Sequence, residues 1–600
     1  MIKVMYKEFF VKKQSGTYAE TLEAYGLANL LNEILQRSQI SDRKIIIEDK
    51  DLYYLVHSNK EISDEMIDGL EYFQVVKFLI NKFDTPVPQG ISKTDCYNYP
   101  AQKAEQDWYK GEYDRIEKDK GLSTEKKKSA KQELAKQKLS EFGKKIDAEY
   151  DVYRELIKNP YTSFTKLYEN FYHNQDDFAE LLKEILCNYA KVSTKEIEIK
   201  FADEKPTSQQ LFNPNQGKGL NKGKANNASM SNLKSSWISE TMKISGGLSM
   251  MSVQYVKVGS GYDLKIYVPE FKEIQLSKGK ELIKEFKRYL KSASPIKLDI
   301  LNILDLIIKF IEYTPEYNKG KVKNTIQGFH SVYQKDLGQN KAVANIAFIN
   351  TPDFIAYSNK QEGREWKDIL KSQRNIISGI EELGDSIQGL QHYRNFIGST
   401  GQTAFEYFSD FSYWYAGYLM SFLSGLKPEE DRRRPYFRYK SFQIETLNKF
   451  YSNMDSKDLN LTEIIENEGF KAVAQAIRKS TVSLQYTPKE SRKFDIRYGL
   501  AQQLQNKSKS KENLATFIGE FIGTYNAETA RNAEKNGGKS FRANVKDEEL
   551  IQFYALLDNK PSRLVGALLS SYGFALNKKD APKVEVPEEE NLPETENETN

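Results

Sequence analysis

Residues 252–268, SVQYVKVGSGYDLKIYV, decide the fold class. Two runs rich in Val, Tyr and Ile, 252–258 and 263–268, flank Gly259-Ser260-Gly261. β-Branched and aromatic side chains suit a pleated surface and glycine supplies the positive φ of a tight turn, so the stretch reads as a β-hairpin. A hairpin in mid-chain excludes an all-helical protein. Upstream, 44–48 and 52–57 are β-rich runs around Asp49-Lys50-Asp51, a second hairpin, and Ile2, Val4 and Tyr6 alternate as in a strand. Residues 22–35 have helical spacing, 101–156 form charge-dense helix, 278–313 are helical, and 342–350 reads as one more strand. Beyond Trp366 the apolar spacing is helical nearly to Leu576, interrupted where Pro428, Arg432, Arg433, Arg434 and Pro435 mark an exposed loop. The predicted class is α+β. A mixed region with short strands and hairpins covers 1–365, a helical connecting region 366–453, an all-α bundle 454–579, and a disordered acidic tail 580–600.

Composition narrows the function. The chain has 600 residues, of which 12% are aromatic and 29% charged; so many aromatics argue for a folded protein. The tail from Asp580 carries a net −7, which leaves +11 on residues 1–579 and suits an anionic partner. Cys96 and Cys187 are too few for a disulfide framework or a four-thiolate zinc site. The opening MIKVMYKEFF lacks a signal peptide's apolar core, and no apolar run approaches the ~18 residues of a membrane span, so the expected place is the cytoplasm, away from membranes.

The four histidines, His57, His173, His330 and His392, stand neither beside an Asp nor at metal-ligand spacing from each other. Phosphate-binding GxxxxGK[ST], HExxH and GxSxG patterns are missing from the sequence. The expectation is a protein without catalytic residues, metal or cofactor. A carboxylate-only, two-metal nuclease stays open because Asp and Glu are plentiful.

Two segments carry the binding expectation. The first is 212–227, FNPNQGKGLNKGKANN, inside an expected recognition loop spanning about 206–268. Its glycines allow close backbone approach, Lys218, Lys222 and Lys224 suit phosphates, and Asn213, Asn215, Gln216, Asn221, Asn226 and Asn227 offer paired donors and acceptors for base edges. The second is 471–511, with ten basic residues against two acids; Arg478, Lys479, Arg492, Lys493 and Arg497 are its candidate backbone contacts, with Tyr486 and Tyr498 interleaved.

These segments, with YGLANLLNEIL near the start and AVAQAIRKSTVSLQY, FDIRYGLAQQL, FIGEFIGTYNAET and LVGALLSSYGFAL near the end, resemble the large subunit of type I CRISPR effector (Cascade) complexes, I-B-like in kind. Some relatives carry paired CxxC zinc motifs, and this chain departs from them. The resemblance implies a non-catalytic subunit of an antiviral DNA-surveillance complex. It would bind guide CRISPR RNA and target double-stranded DNA, recognise the protospacer-adjacent motif and stabilise the R-loop. The partners it implies are the backbone, 5′-handle-binding and small subunits, and a helicase-nuclease recruited after target binding. It also implies that 454–579 is small-subunit-like, with translation able to start again near Met454. A metal-dependent nucleic-acid enzyme and a structural scaffold protein remain the alternatives.

Overall fold

The computed structural model describes residues 5–119, 121–142, 149–158, 161–191, 201, 206–216, 235–286, 294–313, 320–338, 341–382, 384–424, 441–456, 459–484 and 491–577. The fold is α+β, with the main sheets in the first part of the chain and helices in the second. Two compact units form, one from 1–291 with 324–349 and the other from 292–323 with 350–600. The division falls near 350 rather than 365, and the helix of residues 295–313 belongs to the helical unit rather than to the mixed one.

In chain order the mixed unit has β1 (Met5–Lys12), α1 (Ala19–Arg37), β2 (Ile45–Asp49), β3 (Tyr53–Ser63), α2 (Asp64–Asp68), β4 (Phe78–Ile80), β5 (Cys96–Asn98), α3 (Tyr99–Lys118), α4 (Thr124–Phe142), α5 (Tyr150–Lys158), α6 (Tyr161–His173), α7 (Phe178–Tyr189), α8 (Trp237–Met250), β6 (Ser252–Val258), β7 (Gly261–Phe271), β8 (Glu273–Gln275) and α9 (Leu276–Phe286). After α10 (Pro295–Tyr313) and β9 (Gly320–Lys321), which belong to the helical unit, β10 (Ile326–Asp336) and β11 (Lys341–Asn350) complete it. Its main sheets run β1-β3-β2-β8 and β11-β10-β7-β6. Both expected hairpins form: β2 and β3 pair across Asp49–Tyr54, turning through Asp51 at φ +63°, and β6 meets β7 at Val258–Gly261 through Gly259 at φ +58°. The inner strand β10 was not expected. A register shift between Ile326 and Gly328 breaks its alternation, and Gln327, His330 and Ser331 dilute its apolar pattern.

Helices α1 and α8 cross so closely that both are buried almost all round. A Cβ on Gly26 would lie 1.8 Å from the Met242 carbonyl oxygen, and one on Gly246 would lie 1.9 Å from that of Leu22. Only glycine on each helix permits this approach. Asn29 then donates across the contact to the Ser245 carbonyl at 3.1 Å. Charge ties strands of the two sheets together. The Lys13 ammonium bridges Asp49 at 2.7 Å and Glu270 at 2.8 Å, and the Tyr54 hydroxyl donates to Glu270 at 2.9 Å.

The helical unit continues with β12 (Ala356–Tyr357), α11 (Lys360–Gly379), α12 (Ser386–Gly398), α13 (Gly401–Ser424), α14 (Ile444–Met454), α15 (Leu461–Glu466), α16 (Glu468–Ser480), α17 (Leu500–Lys507), α18 (Lys511–Lys535), α19 (Asp547–Asn559) and α20 (Ser562–Gly573). An aromatic core of Phe354, Trp366, Phe396, Phe408 and Phe450 joins α11, α12, α13 and α14. Residue 454 is not a boundary within it. Met454 is the buried last residue of α14. The Tyr451 hydroxyl bonds Ser571 at 2.6 Å, Tyr572 donates to Asn448 at 2.7 Å, and Leu576 exchanges backbone bonds with Phe442 and Ile444. A chain started at Met454 would lose the part of the surface under α20 that α13 and α14 provide. Among the described residues no helix is long and apolar enough to cross a membrane.

Candidate nucleic-acid interface

Lys218, Asn221, Lys222, Lys224, Asn226 and Asn227 lie outside the described residues, as does Tyr486. Both flanks of the 217–234 segment are described, and identifiable contacts hold each of them in place. Trp237 starts α8 immediately after the segment, packed edge-on against Phe171 with ring centroids 5.0 Å apart. Before the segment, Phe212 is fully buried against α8 over Gly247, where any Cβ would meet its ring. The Ser235 amide donates to the Pro206 carbonyl at 3.0 Å and ties one flank to the other. The Tyr18 hydroxyl donates to the Leu211 carbonyl at 2.7 Å.

Beneath the flanks lies a buried charged network. The Asn213 amide nitrogen donates to both Glu240 carboxylate oxygens, at 2.9 and 3.0 Å, and its oxygen accepts from the Lys243 ammonium at 3.0 Å. Lys243 also reaches Glu240 at 3.3 Å and Glu23 at 3.9 Å. Glu23 accepts from the hydroxyls of Tyr189 and Ser239, both at 2.8 Å. Burial works against the charged form of Lys243, but Glu240 and Glu23 outweigh it and raise its pKa above the usual lysine value. An unpaired charge in such a place would be costly, so the network holds only as a set.

The structure corrects part of the expected contact set here. Asn213 is buried and its amide is fully engaged inside the protein, so it anchors the loop base and is not free to read a base edge. Asn215 donates to the Ser15 carbonyl at 3.3 Å and likewise braces the stem. Gln216 is half-buried, and its backbone N–H donates to the Asn213 backbone carbonyl at 3.0 Å.

A similar correction applies to the C-terminal cations. Arg478 is buried and donates to the Tyr572 carbonyl at 2.8 Å, pinning α16 to the end of α20. Arg492 donates to the Leu484 carbonyl at 3.2 Å, and Arg497 pairs with Glu528 at 2.5 Å over the ring of Phe521. These guanidinium groups act as internal braces and do not form an outward row. Lys479 is half-exposed, whereas Lys493 is exposed, its ammonium 5.3 Å from the ring centre of Phe541. Lys539 flanks the same ring at 5.7 Å, and the ring is 42% exposed. Phe541 and Lys539 were missed in the sequence because they lie beyond the basic block and meet Lys493 only in the fold. Arg542 beneath them is spent internally, stacked on Phe494 and Tyr525 and paired with Glu528.

The histidines are dispersed. His57 contacts Glu48 at 2.7 Å, His330 contacts Glu270, and His392 stands 3.8 Å from Asp410. Among the described residues no group of three or more His, Cys, Asp or Glu is arranged to hold a metal ion. No protein-family model matches the chain, and no curated protein matches it.

Proposed function

We propose that this chain is a non-catalytic nucleic-acid-binding subunit of a guide-RNA-directed, antiviral DNA-surveillance complex, the large subunit of a type I, I-B-like CRISPR effector. The observation that carries the proposal is the base of the 217–234 segment. A run that holds Lys218, Lys222, Lys224 and Lys234 and no acid is inserted between two flanks locked by the Asn213–Glu240–Lys243–Glu23 network. Fixed stems lower the ordering cost of a loop that closes on a ligand. In this role Lys218, Lys222 and Lys224 neutralise phosphates of target DNA, and Asn221, Asn226 and Asn227 face the adjacent motif. Asn213 and Asn215 hold the stem through their side chains, and Gln216 through its backbone N–H. In the helical unit, Phe541 between Lys493 and Lys539 offers a displaced strand a stacking surface with two phosphate partners. The chain would work in the cytoplasm with guide RNA, the backbone, 5′-handle-binding and small subunits, and leave cutting to a recruited helicase-nuclease.

Purification of the tagged chain from its own cells tests this proposal. A short guide RNA with a uniform 5′ end should copurify with a fixed set of subunits. A chain free of RNA, or one that alone cuts DNA in magnesium, contradicts it.

A further inference from the structure

The mixed unit also contains a cleft of about 470 Å³, separate from the flanks of the 217–234 segment in chemistry. Its floor is the charged knot between the sheets. Asp49 and Glu270, whose side chains are each only 4% exposed, share the Lys13 ammonium. Asp51 stands at the rim with its side chain 86% exposed, 3.4 Å from the half-exposed Lys272 ammonium. Three carboxylates thus face two ammonium groups, a net −1 before any charge on His330. One wall is apolar: Ile346 and Phe348 project from the same face of β11 and remain 39% and 37% exposed. The Phe348 ring meets His330 edge-on at 5.0 Å.

This combination selects its occupant. A phosphate would meet like charge, so nucleic acid is disfavoured. The buried carboxylates are already taken, Glu270 by Lys13, Tyr54 and His330, and Asp49 by Lys13, Gln327 and the Asp51 amide, which leaves little for a bare metal ion. A side chain with an apolar stem and a cationic, planar tip fits both surfaces: its methylenes lie along Ile346 while the tip reaches Asp51 beside an aromatic ring, taking the place of the weak, solvent-exposed Lys272 contact. β11 is moreover the end strand of its sheet, so its outer edge offers main-chain groups to an added strand. We infer that this cleft receives an arginine side chain from a partner polypeptide. The socket stands or falls independently of the nucleic-acid proposal, because the groups that form it repel phosphate.

The test uses the full chain labelled with ¹³C at isoleucine methyls, the Ile346 signal being identified with Ile346→Val. Acetyl-Gly-Arg-Gly-amide is titrated against its citrulline counterpart and a single-stranded oligonucleotide. The Arg peptide should shift the Ile346 signal saturably, and the citrulline peptide should not. Asp51→Asn, which keeps a residue type tolerant of the positive φ at that position, should weaken the response by up to about five-fold with the remaining isoleucine signals unmoved. An absent shift, an equal shift with citrulline, an unaltered response in Asp51→Asn, or a shift with the oligonucleotide alone would overturn the assignment.

Discussion

The 217–234 segment and the 471–511 block look alike in composition, since both are basic and nearly free of acid. They use their polar residues in different ways. At the base of the first, amides and one lysine turn inward onto Glu240 and Glu23, and the cations that could meet a ligand lie between the anchored flanks. At the second, the arginines turn inward as braces, and the outward position is held by Lys493 with an aromatic from a later loop. Arginine's fork bonds carbonyls and carboxylates within the fold, whereas lysine's single charge on a long stem stays near water. A count of positive residues therefore says little about which of them face a partner.

The largest effect should come from the helix crossing under the first region. Gly246→Val drives a side chain into the Leu22 carbonyl and should cost about 3 kcal/mol or more, read by calorimetry as an earlier transition. If the transition is unmoved, the flanks of the segment are not rigidly based.

Acid sensitivity should sharpen the comparison next. Burial opposes ionisation of Glu270, but His330 and Lys13 overcome it and lower its pKa from 4.5 to about 2. The stabilisation is thus complete above about pH 4.5 and is lost as pH falls toward about 2. Chemical denaturation across that window should lose on the order of 2–3 kcal/mol in the wild type and correspondingly less in Glu270→Gln. Identical pH profiles would remove Glu270 from the knot.

Smaller effects separate inward from outward residues. Asn213→Ala and Arg478→Ala should each destabilise by about 2 kcal/mol, because each strips a buried group of its partner. Lys493→Ala and Phe541→Ala should leave the melting temperature in place. Phe541→Ala should weaken single-strand binding by about ten-fold, the loss of one stacked base, in fluorescence anisotropy. Stability losses at Lys493 and Phe541 with unaltered affinity would reverse the assignment.

Much of the architecture was legible in local pattern. The 252–268 hairpin, the 44–57 hairpin and the helices beyond Trp366 declare themselves through alternation, turn residues and helical spacing. β10 did not, because its bulge at Gly328 breaks the alternation and its partners on the same sheet face lie some sixty residues away, as His330 and Glu270 illustrate. The Lys13–Asp49–Glu270 knot was illegible for the same reason: the three residues come from distant positions and meet only after the sheets form. The roles of Asn213 and Arg478 were misassigned since an amide or a guanidinium looks the same in sequence whether it faces a ligand or the core.

The central claim is that Lys218, Lys222 and Lys224 neutralise nucleic-acid phosphates from a fixed base, and a salt titration tests it most directly. Binding of the purified chain or its complex to duplex DNA is followed by anisotropy over a range of salt, for the wild type and for the variant with all three lysines changed to Ala. The variant should bind more weakly, with its log–log salt slope reduced by about one unit for each lost contact, and with an unaltered melting temperature. Equal affinities and parallel slopes would contradict it.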